Sequence, residues 1–415
     1  MRNRQTIVVR PKLHPLLVDR NTVLICSEFK GYFAMRITFV MASASFRGGT
    51  RVIATYADLL QKRGHEVFVV SMPRTFPNWR KRFKSLIKDR RWYSRSEFRG
   101  SYFDTVDVPH QILDRRRPIV DADVPDADVV VATWWETADW VANLSPSKGA
   151  KAYLIQHHEI HDSQPKARVE DSYRMPLHKI TIAQWLVDLM QSQYGDRHVS
   201  FVPNSVDLQL FNAPPRRRQT CPTVGLMYSP LNWKGCDISL KAFSLAAQKI
   251  PNLRLIAFGL DELSPDLPLP PGSEYIRRPD QKTIKDLYAR CDAWLFSSRV
   301  EGFGLPILEA MACRTPVIGT PVGAAPELLT DGAGVLVPPE NPEEMARAIE
   351  WVCGLSDRQW QALSTTAYAR ATSYTWDDAT DRLETALYRA VERTANGEFL
   401  PANTGNFVPQ LPFAA

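Results

Sequence analysis

The sequence predicts an α/β protein built from two doubly wound parallel sheets that face each other across a crevice. Three observations carry this. Apolar runs of strand length alternate with segments of helical periodicity from residue 35 to about residue 375, the pattern of parallel strands joined by covering helices. The alternation breaks at a Pro- and Arg-rich cluster, "APPRRRQTCP" at 213–222, and then restarts, as at an interdomain linker. A chain of 415 residues also exceeds what one hydrophobic core ordinarily supports.

Taken in order, residues 1–34 show little pattern, and Met35 directly begins the first strand, so Met35 is expected as the natural start. "MRITFVMAS" reads as a buried strand and "FRGGT" as a loop of small residues. Val52, Ile53, Tyr56, Leu59 and Leu60 then repeat at helical spacing until Gly64, and "HEVFVVS" gives the next strand. "DVVVATWW", "KAYLIQHHE", "HKITIA" and "HVSFVPN" continue the series, which completes a first domain over 35–205. A second domain over 206–375 runs through "TVGLMYS", "LRLIAFG", "DAWLFSS" and "TPVIGT". Residues 376–395 read as a helix crossing back to the first domain, and the tail 396–415 lacks periodicity.

Composition narrows the function classes. Hydrophobic content of 44% and charged content of 23% are those of a globular protein. No stretch approaches the ~18–20 apolar residues of a membrane span, and "MRNRQTIVVRPKLHPLLVDR" interrupts every apolar run, so neither signal peptide nor transmembrane helix is read. Cys26, Cys221, Cys236, Cys291, Cys313 and Cys353 are dispersed without a C-x-x-C pair, as buried thiols in a reducing compartment would be. A cytoplasmic location is expected, with peripheral contact at the inner face of the membrane.

The charge of +6 is concentrated in 74–99, where ten Lys or Arg face two acids. The remainder is slightly acidic, which argues against nucleic acid and for one anionic surface or substrate. Within the segment, Trp79, Phe83, Leu86 and Ile87 form an apolar stripe flanked by Arg80, Lys81, Arg82, Lys84 and Lys88. Such a helix can lie on an anionic membrane, or bury its stripe and leave the basic face in water.

In doubly wound sheets ligands bind beyond the carboxyl ends of the strands, so chemistry is sought in those loops. "SSRVEGFGLPILEAMAC" follows the strand "DAWLFSS". Gly302 and Gly304 allow close backbone approach and Pro306 suits the first helical position, so a helix start with unpaired donors is expected there, an anion site. Glu309 is expected in that helix's first turn, where an acid also complements the helix dipole. With Glu301 before the loop, two carboxylates bracket the anion site, a layout matched by hexose, diphosphate and ribose in a sugar nucleotide.

The string "EGFGLPILEAMACRTPVI" resembles the E-x7-E signature of the retaining glycosyltransferases of family 4. "RGGT", "VPNSVD", "NWKG" and "YTWDDA" extend the resemblance over roughly residues 35–393. "YLIQHHE" is similar to a motif of polysaccharide rhamnosyltransferases. The resemblance implies the GT-B fold, two Rossmann-like domains, and transfer of a hexose or deoxyhexose from a nucleoside diphosphate sugar to a glycan or lipid-linked acceptor. It implies that Glu301 holds donor-sugar hydroxyls, that Gly302, Phe303, Gly304 and Leu305 offer backbone donors, and that Glu309 binds the ribose. Lys234, beside Gly235, matches the lysine on the donor diphosphate. Gly48 and Gly49 match the first-domain turn near the diphosphate or acceptor, and His157, with His158 second, a histidine near the donor sugar. The strand alternation Tyr153, Ile155, His157 puts His157 on one face with the first two.

Two positions depart from the family pattern. Tyr228 stands six residues before Lys234, where many members have arginine, and Ser205 replaces the glycine of "PNG". An uncharged Tyr228 would leave the diphosphate more dependent on Lys234 and helix termini. No catalytic metal and no cofactor are expected. His158 and His161 fall one residue short of the H-E-x-x-H spacing, and the D-x-D triplets of "DADVPDADVVV" precede a strand rather than follow one. Alternative readings are a catalytically silent sugar-nucleotide-binding partner subunit, and a GT-B epimerase or phosphorylase.

Overall fold

The structure, a computed structural model, describes residues 33–77, 79–80, 82–83, 100–161 and 164–399. The start of the chain, most of the basic segment 74–99 and nearly all of the tail 396–415 lie outside the described residues.

The first sheet comprises β1 (Arg36–Met41), β2 (Glu66–Ser71), β3 (His110–Ile112), β4 (Val129–Ala132), β5 (Ala150–Ile155), β6 (His178–Thr181) and β7 (Ser200–Phe201). Their order across the sheet is β3-β2-β1-β4-β5-β6-β7, all parallel. Helices α1 (Gly48–Lys62), α2 (Trp135–Ala142), α3 (Lys166–Arg174) and α4 (Gln184–Tyr194) cover it. Central β4 reads Val-Val-Val-Ala with all four side chains buried, as a strand covered on both faces requires.

The second sheet comprises β8 (Thr223–Tyr228), β9 (Arg254–Gly259), β10 (Glu274–Arg277), β11 (Ala293–Phe296), β12 (Val317–Gly319) and β13 (Gly334–Leu336). Its order is β10-β9-β8-β11-β12-β13, again parallel. The helices here are α5 (Cys236–Ala247), α6 (Gln281–Ala289), α7 (Leu305–Ala312), α8 (Ala325–Leu328), α9 (Pro342–Gly354) and α10 (Asp357–Thr372).

Strand order reverses between β1 and β4 in one sheet and between β8 and β11 in the other. Those are the switch points at which the loops splay apart and leave room for a ligand. The loops in question carry Gly48 and Gly49 after β1, Lys234 after β8, and the Glu301 stretch after β11.

The strands absent from the sequence reading are β3, β10 and β13, all edge or near-edge strands of three or four residues. β10 and β13 carry no fully buried residue, so neither has the apolar run that marks a strand in sequence.

The cluster 213–222 is tied to the second domain. The Arg216 guanidinium lies 4.4 Å over the Trp360 ring and donates to the Cys291 carbonyl, and Arg218 donates to that of Cys353.

Helix α11 (Trp376–Ala395) returns to the first domain and packs on β4, β5, β6 and α1. Thr375 and Asp378 cap its start reciprocally. Its buried Glu384 accepts from Arg63 and from His65 Nε2, whose Nδ1 accepts the Met35 N–H at 3.0 Å. Burial opposes ionisation of Glu384, but these donors outweigh it and hold the carboxyl below its ordinary range. The Ser205 hydroxyl donates to the Tyr374 carbonyl at 2.7 Å, which ties the domain boundary to the start of this helix.

Candidate active site

At the switch point of the second sheet, β8 ends at Tyr228 and the chain turns through a short 3-10 segment, Asn232–Lys234, into α5. Gly235 makes that turn with φ of +60°, and a Cβ there would lie 1.9 Å from the Ser297 carbonyl oxygen. Only glycine satisfies both conditions. The turn places the Lys234 amine 2.5 Å from Glu301 Oε1, to which the Ser298 hydroxyl also donates at 2.8 Å. Lys234, Ser298 and Pro306 line one small hollow at the start of α7, so the ammonium sits where the helix dipole also favours an anion.

Gly304 caps α7, Leu305 is its first residue and Pro306 its second. Glu309 is therefore the fifth residue, one position further in than the sequence reading placed it and just past the first turn. It is 6% exposed. Its Oε2 accepts the Tyr288 hydroxyl at 2.9 Å, and its Oε1 is paired with Arg51 of α1, reaching over from the first domain.

The first domain closes over this loop. A Cβ on Gly302 would fall 1.9 Å from the Gln156 carbonyl oxygen, and Trp185 Nε1 donates to the Gly302 carbonyl at 2.9 Å. Gly48 approaches Leu305, with a built Cβ 3.6 Å from Cδ1, and Gly49 approaches the Gln156 side chain at 3.5 Å. Those are ordinary contacts, so protein atoms alone do not demand glycine at 48 and 49. Phe303 is buried, and its carbonyl accepts the Ala324 N–H at 2.8 Å.

β5 ends at Ile155, so His157 lies in the following loop and not on the strand face that its alternation implied. That loop nevertheless approaches the candidate donor loop: a Cβ built on Gly302 would lie 3.4 Å from the His157 Cα. The His157 Nδ1 is 2.7 Å from the His158 carbonyl. A carbonyl only accepts, so Nδ1 carries the hydrogen and Nε2 is an acceptor. Burial is the main cause that holds His157 below its ordinary pKa, with His161 and Lys234 acting the same way and Glu301 against them. His158 faces elsewhere, 2.9 Å from the Tyr194 hydroxyl among Tyr173 and Tyr194.

Tyr228, expected beside the donor, is buried among the residues under α5. Its hydroxyl accepts the Ser264 N–H at 2.7 Å and donates to the Leu267 carbonyl at 2.9 Å. It anchors the loop after β9, and that hydroxyl is already engaged on both sides.

The structure thus brings together His157, Lys234, Glu301 and the 302–305 backbone, with Gly48 and Gly49 alongside, and sets Tyr228 apart. Sequence reasoning missed Arg51, Gln156 and Trp185. Arg51 stands two positions after the Gly48-Gly49 pair on which the reading stopped; Gln156 lies in the loop after β5 and Trp185 at the start of α4, ordinary residue types far from residues 301–305 in the chain. Among the described residues, no group of three or more His, Cys, Asp or Glu side chains is arranged to hold a metal ion.

Residues 217–369 match the family model described as Glycosyl transferases group 1. The second domain is a group 1 glycosyltransferase domain. Lys234, Glu301 and Glu309 all lie in its matched span, whereas Gly48, Gly49, Arg51 and His157 lie outside it. D-inositol 3-phosphate glycosyltransferase of Mycobacterium leprae is 29% identical over 211 residues, 45% of this chain and 48% of that one. O-antigen chain mannosyltransferase B of Escherichia coli is 36% identical over 95 residues, 23% of this chain and 24% of that one. The chain spans about half or less of the length of these curated relatives. Anabaena HepE, solved in complex with UDP, superposes with a TM-score of 0.63 at 20% identity, over 87% of this chain and all of that one. The fold is GT-B, two Rossmann-like domains around a crevice, with the glycosyltransferase domain supplying one wall.

Proposed function

We propose that this chain is a retaining glycosyltransferase that moves a hexose or deoxyhexose from a nucleoside diphosphate sugar to a glycan or lipid-linked acceptor. It works without a metal or other cofactor, in cell-surface polysaccharide synthesis. The observation that carries the reading is the Lys234–Glu301 pair at the start of α7, with the backbone of Gln156 and His157 of the facing domain packed close to Gly302.

In this reading Glu301 accepts donor-sugar hydroxyls, with His157 Nε2 as a further acceptor. Lys234 and the backbone of Gly302, Phe303, Gly304 and Leu305 hold the diphosphate. As the bond from sugar to phosphate breaks, negative charge develops on the leaving diphosphate, where a fixed cation and a helix start stabilise it most. The acceptor oxygen bonds to the sugar carbon from which the phosphate departs, and its proton passes to a phosphate oxygen. No strong protein base is then needed.

Tyr228 favours one rival, a silent binder of sugar nucleotides, because a residue that carries no charge and is engaged by backbone adds nothing to leaving-group stabilisation. A panel of UDP-, GDP- and dTDP-sugars separates the two. Ligands that bind only the folded state raise its apparent stability, and release of free nucleoside diphosphate reports turnover. Binding with release supports the transferase; binding without hydrolysis or transfer across a broad acceptor panel supports the rival.

The acceptor side is expected at the cytoplasmic face of the membrane. Of the stripe in 74–99, Trp79 and Phe83 are described, and they are 70% and 55% exposed. Among the described residues no helix is long and apolar enough to cross a membrane. Vesicle flotation with and without anionic lipid tests the contact, and no binding to either vesicle would remove it.

A further inference from the structure

Each of the two carboxylates assigned to polyol hydroxyls already holds a cation. Glu301 pairs with Lys234 inside the second domain, and Glu309 pairs with Arg51 across the crevice. If the first pair divides on binding, acid to sugar and cation to phosphate, the second has the same parts.

Arg51 is the fourth residue of α1, which begins at Gly48. Its Nη1 donates to Gln281 Oε1 at 3.2 Å, and Gln281 in turn donates to the Tyr102 hydroxyl at 3.3 Å. A ribose approaching Glu309 finds Oε2 taken by Tyr288 and Oε1 taken by Arg51. Glu309 is only 6% exposed, so a ribose hydroxyl that reaches Oε1 competes with the guanidinium for the same open side of the carboxylate. A partly buried guanidinium cannot shed its proton and is strongly disfavoured without an anion. The start of α7, the helix that carries Glu309, offers a place for one, and a Cβ built on Gly48 of Arg51's own helix would lie 3.6 Å from Leu305 there.

We propose that Arg51 is a diphosphate-binding residue that exchanges partners on ligand binding. It releases Glu309 to the ribose and moves onto the phosphates, which its planar fork can grip through two oxygens. This rests on the sugar-nucleotide reading of the site. It also resolves the question raised by Tyr228, since the second cation for the diphosphate comes from the facing domain instead of from the end of β8. Lys234 and Arg51 together then balance the two negative charges of the diphosphate.

The exchange makes opposite predictions for two ligands. Affinities of UDP, GDP and dTDP, and of uridine, guanosine and thymidine, are measured for the wild type, Arg51→Gln and Arg51→Lys. For the bases that bind, Arg51→Gln weakens the nucleoside diphosphate about tenfold or more, about 1.4 kcal/mol. The same variant leaves the nucleoside unchanged or tighter, because Glu309 is already free. Arg51→Lys recovers part of the diphosphate affinity and, if Arg51→Gln fails to fold, carries the comparison alone. Equal weakening of both ligands, as from a structural clasp, or no effect on either, overturns the exchange while leaving the transferase reading intact. No binding of any nucleoside diphosphate by the wild type overturns both.

Discussion

The indole N–H of Trp185, on α4 of the first domain, donates to the Gly302 carbonyl of the second at 2.9 Å, on the loop between Glu301 and the start of α7. The contact fixes the candidate donor loop by a hydrogen bond from the opposite wall. In this arrangement the position of the candidate donor loop depends on the first domain as well as on its own.

Gly302→Ala should separate closure from folding. Its Cβ would lie 1.9 Å from the Gln156 carbonyl oxygen, a clash with backbone of the other domain that neither sheet has to absorb. We expect far-ultraviolet circular dichroism like the wild type, a larger radius of gyration by small-angle scattering, and transfer lower by about 10²-fold, as misplacement of reacting groups costs. An unchanged radius and rate would show that the domains do not need this approach.

Tyr228→Phe should affect stability and spare the ligand. The substitution leaves the Ser264 N–H and the Leu267 carbonyl without their partner, a loss of roughly 0.5–1.5 kcal/mol per hydrogen bond for half-buried groups that water can partly reach. Urea unfolding should register it, and nucleoside diphosphate affinity should stay within twofold. A large affinity loss at unchanged stability would return Tyr228 to the donor site.

Acid sensitivity should trace in part to His178. This residue is 1% exposed, with Nε2 2.9 Å from the Ser200 hydroxyl and Nδ1 accepting from Arg393 at 2.9 Å. Burial, and then the Arg393 charge, push its pKa down to about 4. The unfolded chain, titrating near 6.5, takes up this proton first. The contribution is thus intact above about pH 6.5 and falls away as pH drops toward 4, by roughly 3 kcal/mol in all. His178→Gln should flatten the stability profile over that window, measured by denaturant unfolding. A profile as steep as the wild type's would assign the acid loss to other groups.

The architecture was legible because most buried strands are continuous apolar runs and the longer helices carry a stripe. Val129–Ala132 and Ala293–Phe296 are runs of this kind, and both are fully buried; β6, buried His-Lys-Ile-Thr, is an exception. What escaped has no such signature. β13 is a three-residue strand at the sheet's edge without a fully buried side chain, and its pairing is set by neighbours distant in the chain.

At the candidate site, the glycines and the proline that mark loop and helix start beside Lys234 and Glu301 were readable. The 2.5 Å pairing of Lys234 with Glu301 was not, because 67 residues separate them. Arg51 was invisible for the same reason. An arginine in the first turns of a helix has no meaning in sequence until the fold brings a carboxylate from another domain to it. The setting of Tyr228 was not legible either, because position relative to Lys234 says nothing about which side of β8 its ring takes.

The central claim is that Glu301 and Lys234 act on a sugar nucleotide, and the most direct measurement is release of nucleoside diphosphate from UDP-, GDP- and dTDP-sugars by the wild type and by Glu301→Gln. We expect the wild type to consume at least one donor. Glu301→Gln should remain folded and bind the matching nucleoside diphosphate, but turn over about 10²-fold more slowly, the scale of a lost transition-state contact. Equal rates for the two proteins, or no release from any donor and acceptor combination, would contradict it.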